Sequence, residues 1–197
     1  MGAGNIPPHP KKGLRIGASL GFLDETGVSD RPTVRRTWAP TGQTPIIPSA
    51  GGWKNRTVIA TVVTDPRGKV DPRLYAMIKA TSVKSPDVIG YIKYLRRHFY
   101  GKKLILLWDG LSAHTSKETQ TFIATQRTWL MVERMPTYAP ELNPPEYVWS
   151  SLKAKDCANT CVASLRDLDR RIKDGVRRIK RSPTLLRGCL KASGLFC

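Results

Sequence analysis

Apolar residues along this chain follow two patterns: short continuous runs, and longer stretches in which they recur every three or four positions. Ile16 to Asp24, IGASLGFLD, reads as an extended strand, and Asp24-Glu25-Thr26-Gly27 has the turn chemistry to end it. Val34 to Trp38 is a second extended piece, leading into the Pro- and Gly-rich APTGQTP. The β-branched run Thr57 to Thr64 predicts a buried strand closing in the turn Asp65-Pro66-Arg67-Gly68, with Leu74 to Ala80 pairing beside it. After the helix-start signal Ser85-Pro86-Asp87, the positions Val88, Ile92, Leu95 and Phe99 share one helical face. Leu104 to Asp109 is a short apolar run ending in an acid. Ser116 to Gln126 predicts a helix and Trp129 to Glu133 a strand. Asn143-Pro144-Pro145-Glu146 opens a further helix, and Leu165, Leu168, Ile172, Val176 and Ile179 carry helical spacing toward the C-terminus.

Early strands joined by turns and later strands joined through helices define an α/β class, with a mixed sheet flanked by helices. A ribonuclease-H-like domain has this order and is one of several α/β arrangements that fit it. The boundaries expected are a flexible, Pro- and Gly-rich lead-in at 1–13, one α/β domain at 14–160, and a helical extension at 161–197 packed on the same domain. No run approaches the ~18 apolar residues of a membrane span, and the N-terminus lacks the continuous apolar stretch of a signal peptide. A cytoplasmic protein without a membrane partner is the expectation.

Charge narrows the partner. Thirty-three Lys and Arg against fifteen Asp and Glu leave a formal charge of +18, an excess that repels itself unless a polyanion screens it. Nucleic acid is the partner this implies. The basic residues concentrate in the terminal helix, where Arg170, Arg171, Arg177 and Arg178 flank its apolar line and are candidate phosphate contacts. Trp38 and Trp53, beside Arg35, Arg36, Lys54 and Arg56, are placed either to stack on unpaired bases or to pack in the core. Cys157, Cys161, Cys189 and Cys197 include no C-x-x-C pair, which argues against a zinc site and for reduced thiols.

Two acids follow apolar runs directly: Asp24 after SLGFL and Asp109 after LILLW. An ionised carboxylate beside buried residues is costly unless paired or bound to a cation. Strand alternation puts Asp24 on the face of Leu20 and Phe22, with Glu25 opposite, and Asp109 on the face of Ile105 and Leu107. Each Asp also fits a simple turn start. Glu146 has its own structural explanation, because Asn143 and Glu146 match a helix capping box with Pro144 in the first turn.

The stretches FLDETGV, RRTWAPTGQTP, LLWDGLSAH and YAPELNPPEYVWSSLK, in that order, resemble the DDE endonuclease domain of bacterial insertion-sequence transposases in the mariner superfamily. The likeness runs from about Leu14 to about Leu190. It implies a ribonuclease-H-like fold and a catalytic, metal-holding triad of Asp24, Asp109 and Glu146, the last two separated by thirty-six residues. Carboxylate oxygens suit Mg²⁺ or Mn²⁺, and such a triad can hold two ions about 3.5–4 Å apart. The implied activity is cleavage of double-stranded DNA at transposon ends and transfer of the freed strand to target DNA. His114 is implied as an auxiliary residue, touching the scissile phosphate or the attacking water, against the plainer reading of a surface histidine at a helix start. Lys117 and Lys153 are candidate contacts to backbone phosphate near the cut.

Two positions depart from the pattern: Gly110 stands where the family commonly has Asn, and Pro145 where it commonly has an aliphatic residue. Complete relatives resemble a fusion with helix-turn-helix modules that recognise the element's ends. The chain therefore reads as the downstream half of a split frame, with an upstream helix-turn-helix subunit or fusion partner, or as a truncated copy. Action on two ends would suit a homodimer on DNA, in a bacterial cytoplasm at the nucleoid. A non-catalytic, basic DNA-binding remnant and a related ribonuclease-H-like nuclease are the competing readings.

Overall fold

The computed structural model describes residues 9–31, 33–47, 54–136, 140–160 and 162–195. Helix α1 (His9–Ile16) leads into β1 (Ala18–Ser29), β2 (Asn55–Thr64) and β3 (Arg73–Lys79), and α2 (Ser85–His98) then crosses to β4 (Lys103–Trp108). Two short helices, α3 (Ser112–Thr115) and α4 (Lys117–Ala124), connect to β5 (Leu130–Arg134). The chain ends in α5 (Pro144–Lys155), α6 (Leu165–Lys180) and α7 (Pro183–Ala192). The strands form one mixed sheet in the order β3-β2-β1-β4-β5. β1–β2 and β2–β3 are antiparallel, while β1–β4 and β4–β5 are parallel. This is the mixed, helix-flanked sheet that the hydrophobic pattern predicts.

Both faces of the sheet are covered, which is why its central strands read as nearly continuous apolar runs. Leu20, Phe22, Ile105 and Leu107 point to one side and pack with Trp149 and Leu152 of α5, Leu168 and Ile172 of α6, and Leu186 of α7. Leu23, Leu104, Leu106 and Trp108 point to the other and pack with Val88, Tyr91, Ile92 and Leu95 of α2. The period-two alternation read from sequence therefore places Leu20 with Phe22, and Ile105 with Leu107, on the face where they are found. Helix α6 lies close on α5 at Gly175, where a Cβ would come within 2.5 Å of Leu152 Cδ1 and 2.7 Å of Asp156 Cγ. Arg178, one turn on, secures the same crossing through Asp156 at 2.6 Å and Ser151 Oγ at 3.2 Å.

Four local expectations are corrected. The turn expected at Asp24-Glu25-Thr26-Gly27 does not form: β1 continues to Ser29, with Glu25 opposite Ile59 and Thr26 opposite Val58. The β-branched edge of β2 offers ladder partners whose pairing outweighs the local turn preference. Residues 9–13, expected in a flexible lead-in, are the first turns of α1, whose Ile16 packs against the sheet core. Val34 to Trp38 forms no strand, and its neighbour Thr33 makes an isolated parallel bridge to Ala158. The C-terminal region is two helices rather than one, because Ser182-Pro183 starts α7 with the Ser182 hydroxyl accepting from the Leu185 N–H. Among the described residues no helix is long and apolar enough to cross a membrane.

Candidate active site

The parallel pairing of β1 with β4 brings the first two acids together. Phe22 lies opposite Leu107, and two residues beyond that pair the strands carry Asp24 and Asp109. Asp24 sits within the long β1 strand, while Asp109 stands just past the end of β4, so one is enclosed and the other half free. The Asp109 side chain is 55% exposed.

Helix α5 supplies the third acid. Its Trp149 packs into the core and donates its indole N–H to Asp24 Oδ2 at 2.9 Å. Glu146 lies three residues earlier, one turn toward the helix start, and so on the same face. It is exposed, and close enough for its charge to act on Asp24. The capping-box explanation for Glu146 fails in this structure. Asn143 makes no side-chain cap bond, and its N–H is taken by Pro140 O at 3.0 Å. Burial, followed by the charges of Glu146 and Glu25, pushes the Asp24 carboxyl up to about 7 against the pull of the Trp149 hydrogen bond. A carboxyl crowded by two other acids is short of positive charge.

His114 occupies a place that neither sequence reading described. It has no exposed surface and stacks on Trp108 with ring centroids 4.3 Å apart and planes 1° from parallel. Its Nδ1 lies 2.9 Å from Asp109 Oδ1 and its Nε2 lies 2.9 Å from Glu25 Oε1. Both partners are carboxylates that only accept, so both ring nitrogens carry hydrogen and the ring is an imidazolium. Burial opposes that charge, but the bonds to Asp109 and Glu25 outweigh it and lift the histidine to about 9. In return, the His114 bond, with the Leu111 N–H and the Arg134 charge, holds Asp109 below the usual carboxylate range against its partial burial.

Glu25 is thus on the opposite face from Asp24, as alternation requires, yet it is tied to the same site through the buried histidine. Glu25 and Trp149 are positions at the candidate site that sequence reasoning missed. The i, i+3 spacing of Glu146 and Trp149 was the available signal for Trp149; Glu25 had none, because its partner lies 89 residues away.

The acids suit a hard divalent cation by donor chemistry and by the charge deficit at Asp24. Among the described residues, no three His, Cys, Asp or Glu side chains enclose an ion position as they stand, Asp109 being turned to His114.

The basic candidates are distributed unevenly. Lys117 is exposed in the first turn of α4, and Lys153 is half-buried two turns after Glu146 on α5. On α6, Arg170 and Arg177 are exposed but pair along the helix with Asp167 and Asp174, and Arg171 is half-buried. Arg178 is engaged with Asp156 and Ser151 in the α5–α6 crossing. Trp38 is 100% exposed, which excludes core packing for it. Trp53, Tyr138, Cys161 and Cys197 lie outside the described residues.

A family model described as DDE superfamily endonuclease matches residues 19–169. Among solved structures, the chain is similar to the Mos1 transposase paired-end complex with left transposon end, at 17% identity and a TM-score of 0.59, covering 97% of this chain and 60% of that one. The mariner Mos1 paired-end complex with Mg gives 15% identity and a TM-score of 0.58, over 98% of this chain and 61% of that one. The Mos1 transposase catalytic domain with Raltegravir and Mg gives 15% identity and a TM-score of 0.51, over 94% of this chain and 89% of that one. The chain therefore spans about three-fifths of the length of the Mos1 chains in those two paired-end complexes. No curated protein matches it by sequence.

Proposed function

The chain belongs to the DDE superfamily of endonucleases, and from that premise we propose that it is the catalytic domain of a transposase that cuts DNA at transposon ends and joins the freed strand to target DNA. The observation that carries the reading is the placement of Asp24 and Asp109 two residues beyond the paired Phe22 and Leu107, with Glu146 one turn before the Trp149 that bonds Asp24. Strand register brings together the first two, and the Trp149 bond holds the helix of the third against the first.

Asp24, Asp109 and Glu146 would hold Mg²⁺ or Mn²⁺, two ions in this reading, and the solved Mos1 complexes with Mn and with Mg support it. When bound, such ions supply Lewis-acid stabilisation of the charge that develops on a phosphate under attack. The protein's own part is positional. Trp149 fixes Asp24, and His114, anchored by Glu25 and Trp108, fixes Asp109. That makes His114 a positioning residue, because both of its ring nitrogens are engaged away from any substrate. In cleavage a water oxygen bonds to phosphorus as the P–O3′ bond breaks, leaving a 5′-phosphate and a 3′-hydroxyl. In joining, the 3′-hydroxyl takes the place of water. Each step forms one P–O bond and breaks one, and neither needs a covalent protein intermediate.

Double-stranded DNA, both ends and target, is the proposed partner, met by Lys117, Lys153, Arg170, Arg171 and Arg177, with exposed Trp38 available for stacking on a base. Recognition of the ends is assigned to a helix-turn-helix region outside these elements, fused or separate, and the working assembly to a homodimer on paired ends. The sequence motifs favour a bacterial insertion-sequence element as the source.

The test is nicking of supercoiled DNA by purified protein with Mg²⁺ or Mn²⁺. Asp109→Ala is expected to lower the rate by at least about a thousandfold while salt-sensitive DNA binding survives. Nicking that persists in the variant would remove the site.

A further inference from the structure

Gly110 leaves open the space beside Asp109, and Arg134 occupies it. A Cβ on Gly110 would overlap Arg134 Nη2 and stand 3.2 Å from its Cζ. The two residues come from adjacent parallel strands: Trp108 pairs with Arg134 at the last rung of β4 and β5. The guanidinium therefore sits at the C-terminal edge of the sheet, the side on which open α/β sheets bind ligands. It is exposed. The backbone that carries it is held to β4, since Met135, the next residue, donates its N–H to Trp108 O at 2.8 Å.

We propose that Arg134 is a catalytic residue that contacts a non-bridging oxygen of the phosphate being cut, and that Gly110 leaves the space in which it stands. This rests on the DNA-cleavage reading above. The chemistry is that of a planar, permanently charged donor fork facing a phosphoryl group whose equatorial oxygens gain charge in the transition state. A side chain at 110 would require the guanidinium to move from where it stands.

The experiment measures Mg²⁺-dependent nicking of supercoiled plasmid and, separately, binding of a fluorescent duplex in Ca²⁺. Arg134→Ala is expected to lower kcat about a hundredfold with duplex affinity changed less than about threefold, and Arg134→Lys to recover no more than about a tenth of the lost rate. Gly110→Asn is expected to reproduce the Arg134→Ala loss, and the double variant to be no slower than either single one. Thermal melting of each variant checks that the fold is kept. Nicking by Arg134→Ala at the wild-type rate or faster overturns the proposal, as do equal losses of rate and binding, or single losses that multiply in the double variant. Asp109→Ala run alongside separates the two ideas. If it nicks like wild type, the catalytic site itself falls and Arg134's role with it; if it is inactive while Arg134→Ala is not, only the role of Arg134 falls.

Discussion

His114 is buried and held at both ring nitrogens, and its titration gives the first prediction. Its charged form is held by Asp109 and Glu25, and its pKa rises from an ordinary value near 6.5 to about 9. A raised basic pKa contributes stability that is complete below about 6.5 and disappears as pH rises through about 9. His114→Gln should therefore melt about 5 °C below wild type at pH 6, with the gap closing by pH 10, as read by paired melting curves. A constant gap across that range would mean that packing on Trp108, not charge, is what the ring provides. Asp24 behaves in the opposite sense. Its folded pKa of about 7 exceeds the ordinary value near 3.9, so the folded state keeps a proton that the unfolded chain has lost, and stability falls as pH rises between them. Asp24→Asn should melt above wild type at pH 8 and with it at pH 4. Mg²⁺ should raise the melting temperature of wild type at pH 8 and leave Asp24→Asn nearly unmoved, since a ligand stabilises only the state that binds it.

At the scale of elements, helix α5 joins packing to chemistry. It carries Glu146 and Trp149 on one face, and it crosses α6 closely at Gly175. Gly175→Ala would press a methyl group into Leu152 and Asp156, so the helices must part or tilt. Overpacking of this kind costs about 1–3 kcal/mol, readable as a lower denaturant midpoint. Because the tilt moves Trp149 away from Asp24, nicking should fall by more than the unfolded fraction explains. A loss of stability with the rate per folded molecule unchanged would show that α5 does not carry the strain to the site. The extension of β1 past Asp24 belongs to this scale too. The residues Glu-Thr-Gly have turn character, but ten residues of β1 find partners in β2, and that ladder decides their conformation.

For the whole molecule the governing quantity is the charge of +18. Binding of duplex should weaken steeply with salt, log Kd varying linearly with log salt, and neutralising any one of Arg170, Arg171 or Arg177 to Gln should reduce the slope by about 1. Arg178→Gln should behave differently. Its guanidinium holds Asp156 and Ser151, so the variant should lose stability while its salt slope stays near that of wild type. Equal slope changes at Arg177 and Arg178 would contradict that division of α6 into a solvent face and a packing face.

Read alone, the sequence determined the α/β class, the strands around Phe22, Val62, Leu106 and Val132, the helices around Ile92, Trp149 and Ile172, and the faces of β1 and β4. These follow from local periodicity, which depends only on near neighbours. It also marked Asp24, Asp109 and Glu146, because each stands in a recognisable stretch. Tertiary structure alone decided that β1 runs on past Asp24, since a ladder partner twenty or more residues away outweighs a local turn preference. It alone showed Glu25 and His114 joined across 89 positions, and Arg134 over Gly110 across the β4–β5 pairing. Such contacts are set by strand register and by which faces the helices cover, and no periodicity within either segment records them.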